Sequence, residues 1–112
     1  MILLNPRSKV YVYTEAIDFR NGIEGLVRIC ENRLGQDPYS GVFFLFVSRN
    51  RVSIKVLVYD GQGFWCMQKR LSSGKFRRWP EKQAEYSGVA AQVLLSNGDV
   101  TSVHFQEDWR RE

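Results

Sequence analysis

Val42-Phe43-Phe44-Leu45-Phe46-Val47 is a run of six apolar residues, and it opens the stretch, Val42 to Pro80, around which the chain is organised. Three further runs follow: Arg51-Val52-Ser53-Ile54-Lys55-Val56-Leu57-Val58-Tyr59, Phe64-Trp65-Cys66-Met67-Gln68-Lys69-Arg70-Leu71, and Lys75-Phe76-Arg77-Arg78-Trp79. The connections between them are short and polar: Ser48-Arg49-Asn50, Asp60-Gly61-Gln62-Gly63 and Ser72-Ser73-Gly74. Runs rich in β-branched and aromatic residues, joined by such connections, predict an antiparallel meander of about four strands. Val52, Ile54, Val56 and Val58 alternate with a mixed set, so one face of the second strand is apolar. The first strand is apolar on both faces, which predicts a central position covered on one side by a helix. Trp79-Pro80 ends the block, because proline cannot donate to a ladder.

The charge is concentrated in the same stretch. Between Arg49 and Arg78 stand eight basic residues (Arg49, Arg51, Lys55, Lys69, Arg70, Lys75, Arg77, Arg78) and one acid, Asp60. That segment carries +7 in a chain of net +4, so the remainder carries −3.

Upstream, Lys9-Val10-Tyr11-Val12-Tyr13-Thr14 reads as a strand expected to join the same sheet. Ile23, Leu26, Cys30 and Leu34 recur at the spacing of one helix face, with Val27 and Ile29 beside them. Asn21 with Glu24 has the form of a capping box, and Asp18 is an alternative cap one turn earlier. Gly35 sits where a left-handed terminator belongs, and Asp37-Pro38 stops the helix. Gly25 inside it costs up to about 1 kcal/mol against alanine. Downstream, Glu81-Lys82-Gln83-Ala84-Glu85 reads as a loop. Residues 87–103 admit two readings: a helix capped by Ser87 and stopped at Asn97-Gly98, or a hairpin turning on Asn97-Gly98. Phe105 and Trp109 are aromatic anchors in a polar tail. The expectation is an α+β fold, with an antiparallel meander packed against one long helix and a short C-terminal helix or hairpin.

Length and composition bound the rest. With 112 residues, 44% hydrophobic and 25% charged, the chain is expected to form one domain, residues 1–112, with one core. The N-terminus lacks a signal-peptide pattern and no run reaches membrane-spanning length, so a cytoplasmic protein without membrane contact is expected. Cys30 and Cys66 are isolated thiols without ligand-like spacing, read as reduced packing residues.

The order Asp18-Phe19-Arg20-Asn21-Gly22-Ile23-Glu24-Gly25-Leu26, Asp37-Pro38-Tyr39-Ser40-Gly41, Phe44-Leu45-Phe46 and Arg49-Asn50-Arg51 carries a family pattern. It continues through Ile54-Lys55-Val56-Leu57, Asp60-Gly61-Gln62-Gly63-Phe64-Trp65, Lys69-Arg70-Leu71, Gly74-Lys75-Phe76 and Trp79-Pro80. This resembles the TnpB accessory proteins of the insertion-sequence family numbered sixty-six, over about Val10 to Pro80. Asp18, Arg20, Gly22, Asp37, Pro38, Asp60, Gly63 and Pro80 are the motif positions given structural roles. The resemblance implies a bacterial mobile-element protein that supports DNA transposition beside a separate transposase, with no cofactor and no catalytic role. It also favours the helical reading of Gln92–Gly98.

The residues are consistent with a protein that is not an enzyme. His104 is the only histidine, so histidine triads and multi-histidine metal sites are excluded. Asp18, Asp37 and Asp60 are the carboxylates that a small metal-dependent nuclease would need, but each has a simpler role in a cap or turn. Gly61-Gln62-Gly63 is too short for a phosphate loop and does not lie between strand and helix. No metal ligands are assigned. The eight basic residues are the candidate nucleic-acid contacts, for DNA at the element ends, and Phe64, Trp65 and Trp79 are the candidates for base stacking. A plainer account has the cations solvating an exposed face and the aromatics filling the core. The alternative function is an adaptor docking the transposase without touching DNA; the oligomeric state is left open.

Overall fold

A computed structural model of the chain describes Leu4, Asn5 and residues 7–97, the side chain of Asn21 excepted. The anchors Phe105 and Trp109, His104 and the second limb of the hairpin reading lie outside the described residues.

Among the described residues five strands form one sheet: β1 (Lys9–Val12), β2 (Phe43–Val47), β3 (Ser53–Tyr59), β4 (Phe64–Arg70) and β5 (Glu85–Ser87). Their order is β4-β3-β2-β1-β5. The meander is β2-β3-β4, with Leu45 opposite Val56 and Leu57 opposite Cys66. As its composition predicts, β2 is central and all five of its residues are buried. Alternation sends Phe44 and Phe46 to one face and Phe43, Leu45 and Val47 to the other. The first face packs on helix α1 (Gly22–Asn32) through Leu26 and Cys30; the second packs on helix α2 (Gly88–Leu95) through Ala91 and Leu94. Each aliphatic side chain so buried contributes about 1.5–3 kcal/mol. Burial also pushes the Cys30 thiol up to about 12, and the half-buried Cys66 is raised for the same reason.

Four expectations need correction. The sheet is mixed: β1 pairs parallel with β2, Tyr11 opposite Phe44, because α1 lies between them as a crossover. Neither helix is long, at eleven and eight residues, and both faces of the sheet are covered. Lys75–Trp79 is not a fourth meander strand. Phe76 and Trp79, three residues apart, enter the same core cluster, a spacing that a strand of period two does not provide. Finally, Glu85 begins β5, which pairs antiparallel with β1.

The helix signals at Asp18, Gly35 and Ser87 hold, and the Asn21–Glu24 capping box rests on a side chain outside the described residues. Asp18 caps the one-turn 3-10 segment Phe19–Asn21 by accepting from Arg20 N–H, and α1 starts at Gly22, whose φ of 65° belongs to glycine. Gly35, at φ 62°, ends the helix as predicted. Ser87 caps α2 by accepting from Ala90 N–H at 3.1 Å, so the helical reading of the C-terminal region holds. Among the described residues no helix is long and apolar enough to cross a membrane.

Candidate nucleic-acid interface

The β2–β3 connection is built by one buried serine. Ser48 Oγ donates to Asn50 Oδ1 at 2.6 Å and accepts from Ser53 N–H at 3.1 Å, while its carbonyl takes Arg51 N–H at 2.9 Å. This closes a turn with Arg49 and Asn50 exposed at its tip. Arg51 follows in the left-handed region, at φ 61°, a conformation that glycine adopts without cost and that costs other residues about 1–2 kcal/mol.

Other basic residues are tied to the same end of the sheet. Ser53 is opposite Arg70, and Leu71 N–H reaches Val52 carbonyl at 2.8 Å, so β4 delivers Lys69 and Arg70 beside the turn. Phe76 N–H donates to Arg51 carbonyl at 2.7 Å, drawing the segment after β4 onto it. Asn97 clasps that segment, donating to Lys75 carbonyl at 2.9 Å and accepting from Arg77 N–H at 3.3 Å. Phe76 and Trp79 are buried anchors, and Lys75, Arg77 and Arg78 are left exposed beside them. Local spacing therefore produces the display: core anchors three residues apart pull the backbone in and leave the cations beside them in solvent.

Two predicted cations are already engaged. Lys55, in mid-β3, donates to Phe19 carbonyl at 2.9 Å and lies 4.9 Å from that ring's centroid. Lys69 donates to Leu95 carbonyl at 2.6 Å, at the negative end of α2. Arg49, Arg51, Arg70, Lys75, Arg77 and Arg78 form none of the ion pairs found among the described residues, which are Arg20–Asp18 and Arg33–Glu15.

Beside the turn lies a groove of about 560 Å³ between α1 and the segment after β1, lined in part by Arg28, Arg33 and Arg49. Arg28 and Arg33 were not legible as site residues, because they sit on a helix far from the basic segment in sequence. Arg33 bonds Tyr13 hydroxyl at 3.1 Å and Glu15 at 3.3 Å, while that hydroxyl donates to Glu15 at 2.6 Å. Burial first, and the Glu15 contact second, raise the Tyr13 hydroxyl's pKa. Asp18 forms the acidic wall; the Arg20 guanidinium, at 2.6 Å, lowers its carboxyl to about 2.

The aromatic candidates separate. Trp79 is only 7% exposed and its Nε1–H donates to Tyr13 carbonyl at 2.8 Å, so it has no free face for a base. Phe64 is half-buried in a cluster with Tyr39 and Tyr59, centroids about 5 Å apart. Trp65 is 43% exposed, but at the opposite end of β4. There Asp60 orders the β3–β4 turn, accepting from Gln62 N–H, Gly63 N–H and Trp65 Nε1–H at 2.8–2.9 Å. These bonds, the two backbone ones foremost, hold the Asp60 carboxyl below the usual range. Asp37 likewise accepts from Tyr39 N–H after the buried Pro38, and Pro80 is half-buried behind Trp79. Asp18, Asp37 and Asp60 thus serve separate turns. Among the described residues no three His, Cys, Asp or Glu side chains are grouped to hold a metal ion.

The sequence is similar to "Uncharacterized protein y4jC" of Sinorhizobium fredii (strain NBRC 101917 / NGR234), with 37% identity over 97 residues, covering 85% of this chain and 83% of that one. It is also similar to "Uncharacterized protein y4hO" of the same strain, with 31% identity over 103 residues, covering 91% and 89%. No solved structure matches. The family described as "IS66 Orf2 like protein" matches residues 8–104, which takes in the whole sheet, both helices and the basic end: the chain belongs to the IS66 Orf2-like family.

Proposed function

We propose that this protein is a non-catalytic accessory factor of its insertion sequence that supports transposition by contacting DNA through the basic end of the sheet, working with the transposase of the same element. The observation that carries the reading is the gathering of Arg49, Arg51, Arg70, Lys75 and Arg77 around the β2–β3 turn, by backbone bonds from β4 and the segment after it and by the side-chain amide of Asn97. Arg51 strengthens it. A cation occupies a left-handed position that favours glycine, the kind of local cost that is retained where the side chain has work to do. Guanidinium groups outside the ion pairs of the described residues, gathered at one end of the sheet, suit the spacing-tolerant chemistry of phosphate contacts. Base stacking plays no part in it: Trp79 is buried and Trp65 stands at the opposite end of β4.

The test is a salt series of binding to element-end duplex DNA. Each phosphate contact adds about 0.9 to the log–log slope. Replacing Arg77 and Arg78 by alanine should weaken binding to all sequences and lower the slope by up to about 2, with thermal unfolding unchanged. Unaltered affinity and slope would remove those two residues from the interface. No binding by the parent protein near about 50 mM salt would sink direct contact. The basic end would then be the docking face for an acidic patch on the transposase.

A further inference from the structure

Among the described residues β4 is an outer strand whose second edge has no partner. Its register with β3 is continuous from Ser53–Arg70 to Tyr59–Phe64, without a bulge or proline. Bonds from Leu71 N–H to Val52 carbonyl and from Asp60 N–H to Gly63 carbonyl set the phase of the ladder. Antiparallel alternation then makes Trp65, Met67 and Lys69 the residues that exchange bonds with β3. The N–H and C=O groups of Phe64, Cys66, Gln68 and Arg70 turn outward. Such an edge is ordinarily blunted along its length. Here the charges stand only at one end, Lys69 and Arg70, while Trp65 and Met67 are 43% and 39% exposed on the face that carries Val56 and Val58. The Trp65 indole is held in place by Asp60.

We propose that β4 pairs antiparallel with β4 of a second copy of this chain, about a twofold axis at Met67. Parity and charge select the register. The open groups belong to alternate residues, and a twofold at Met67 pairs Phe64 with Arg70 and Cys66 with Gln68, using all four on each copy. The positions between them set Met67 against Met67 and Trp65 against Lys69. No cation meets its own copy: Lys69 lays its stem against the partner's indole, its ammonium remaining on Leu95 carbonyl, and Arg70 faces the Phe64 ring. Moving the axis to Lys69 puts like charges opposite each other. Moving it to Trp65 leaves Gln68 and Arg70 facing the partner's turn. The pairing is isologous, so it closes at two copies and joins two sheets into one of ten strands.

The test uses the full chain. Sedimentation across a concentration series should show a species of twice 13.1 kDa. Amide exchange at Phe64, Cys66, Gln68 and Arg70 should slow as concentration rises. Met67→Lys places two cations at the axis and should leave a folded monomer with fast exchange at those four amides. In a Cys66→Ser background, Met67→Cys should form an interchain disulfide under mild oxidation, because facing non-hydrogen-bonded residues lie about 4.5 Å apart at Cα. Trp65→Cys in that background should not. A chain that stays monomeric up to about 1 mM overturns the proposal. Protection that is independent of concentration also overturns it, and would mean that residues 98–112, leaving Asn97 beside Lys75 and Arg77, cover the edge instead. Cross-linking through Trp65→Cys would overturn the register.

Discussion

At one end of the β3–β4 ladder a buried serine holds a turn that exposes arginines; at the other an exposed aspartate holds a turn that presents an indole. Each end also has a tryptophan whose Nε1–H is satisfied at 2.8 Å, Trp79 by Tyr13 carbonyl and Trp65 by Asp60. The hydrogen bonds are equivalent and the burial is not, 7% exposed against 43%. Trp79 therefore acts as a structural anchor that lets its neighbours stay in solvent, whereas Trp65 is itself a surface. The difference teaches that an aromatic residue beside basic residues in sequence is not thereby beside them on a binding face.

Replacing each tryptophan by alanine tests this most severely. Trp79→Ala should lose about 3–5 kcal/mol of stability in urea unfolding, from lost burial and the cavity left behind. Trp65→Ala, measured at low protein concentration, should lose under about 1 kcal/mol. Equal losses would break the distinction between the ends.

Ser48→Ala attacks the basic end alone. It leaves the buried Ser53 N–H without its serine acceptor, which costs about 1–3 kcal/mol, and loosens Asn50. DNA affinity should fall with it, since the turn that carries Arg49 and Arg51 is no longer held. Retained affinity with lowered stability would show that the turn's shape does not matter to binding.

Arg51→Gly separates function from fold. Relief of the left-handed conformation offsets the entropy that glycine adds to the unfolded chain, so stability should change by less than about 1 kcal/mol. Binding to duplex DNA should weaken at every salt concentration. A large loss of stability would instead make Arg51 a packing residue.

The smallest effects distinguish the two carboxylates by pH. Both Asp60 and Asp18 have lowered folded-state pKa values, so each stabilises fully above the unfolded value, about 4, and loses that contribution as pH falls through its folded value. For Asp18 the loss extends down to about pH 2. Parent and Asp60→Asn urea midpoints should differ at neutral pH and converge in acid, with an accompanying change in Trp65 fluorescence. Parent and Asp18→Asn should converge only near pH 2, because the Arg20 guanidinium keeps that carboxylate ionised longer.

What the chain by itself determined was local. Period-two alternation and polar connections specified β2, β3 and β4, and the apolar-both-faces character of Phe43–Val47 specified its central place. The Asp18, Gly35 and Ser87 signals marked where helices start or stop, because caps act within one turn. The count of +7 between Arg49 and Arg78 was also plain from composition. Tertiary structure decided the rest, since it depends on pairings between residues far apart in sequence. A parallel or antiparallel β1 has the same alternation; only the α1 crossover settles its direction. Glu85–Ser87 is too short and polar to announce a strand until β1 supplies a partner. Phe76 and Trp79 could as well have been strand residues, until Arg51 carbonyl and Tyr13 carbonyl claimed their N–H groups. The same long-range bonds turn a list of cations into one basic end and withdraw Lys55 from it, because a charge's neighbours are set by where the backbone returns, not by where it has just been.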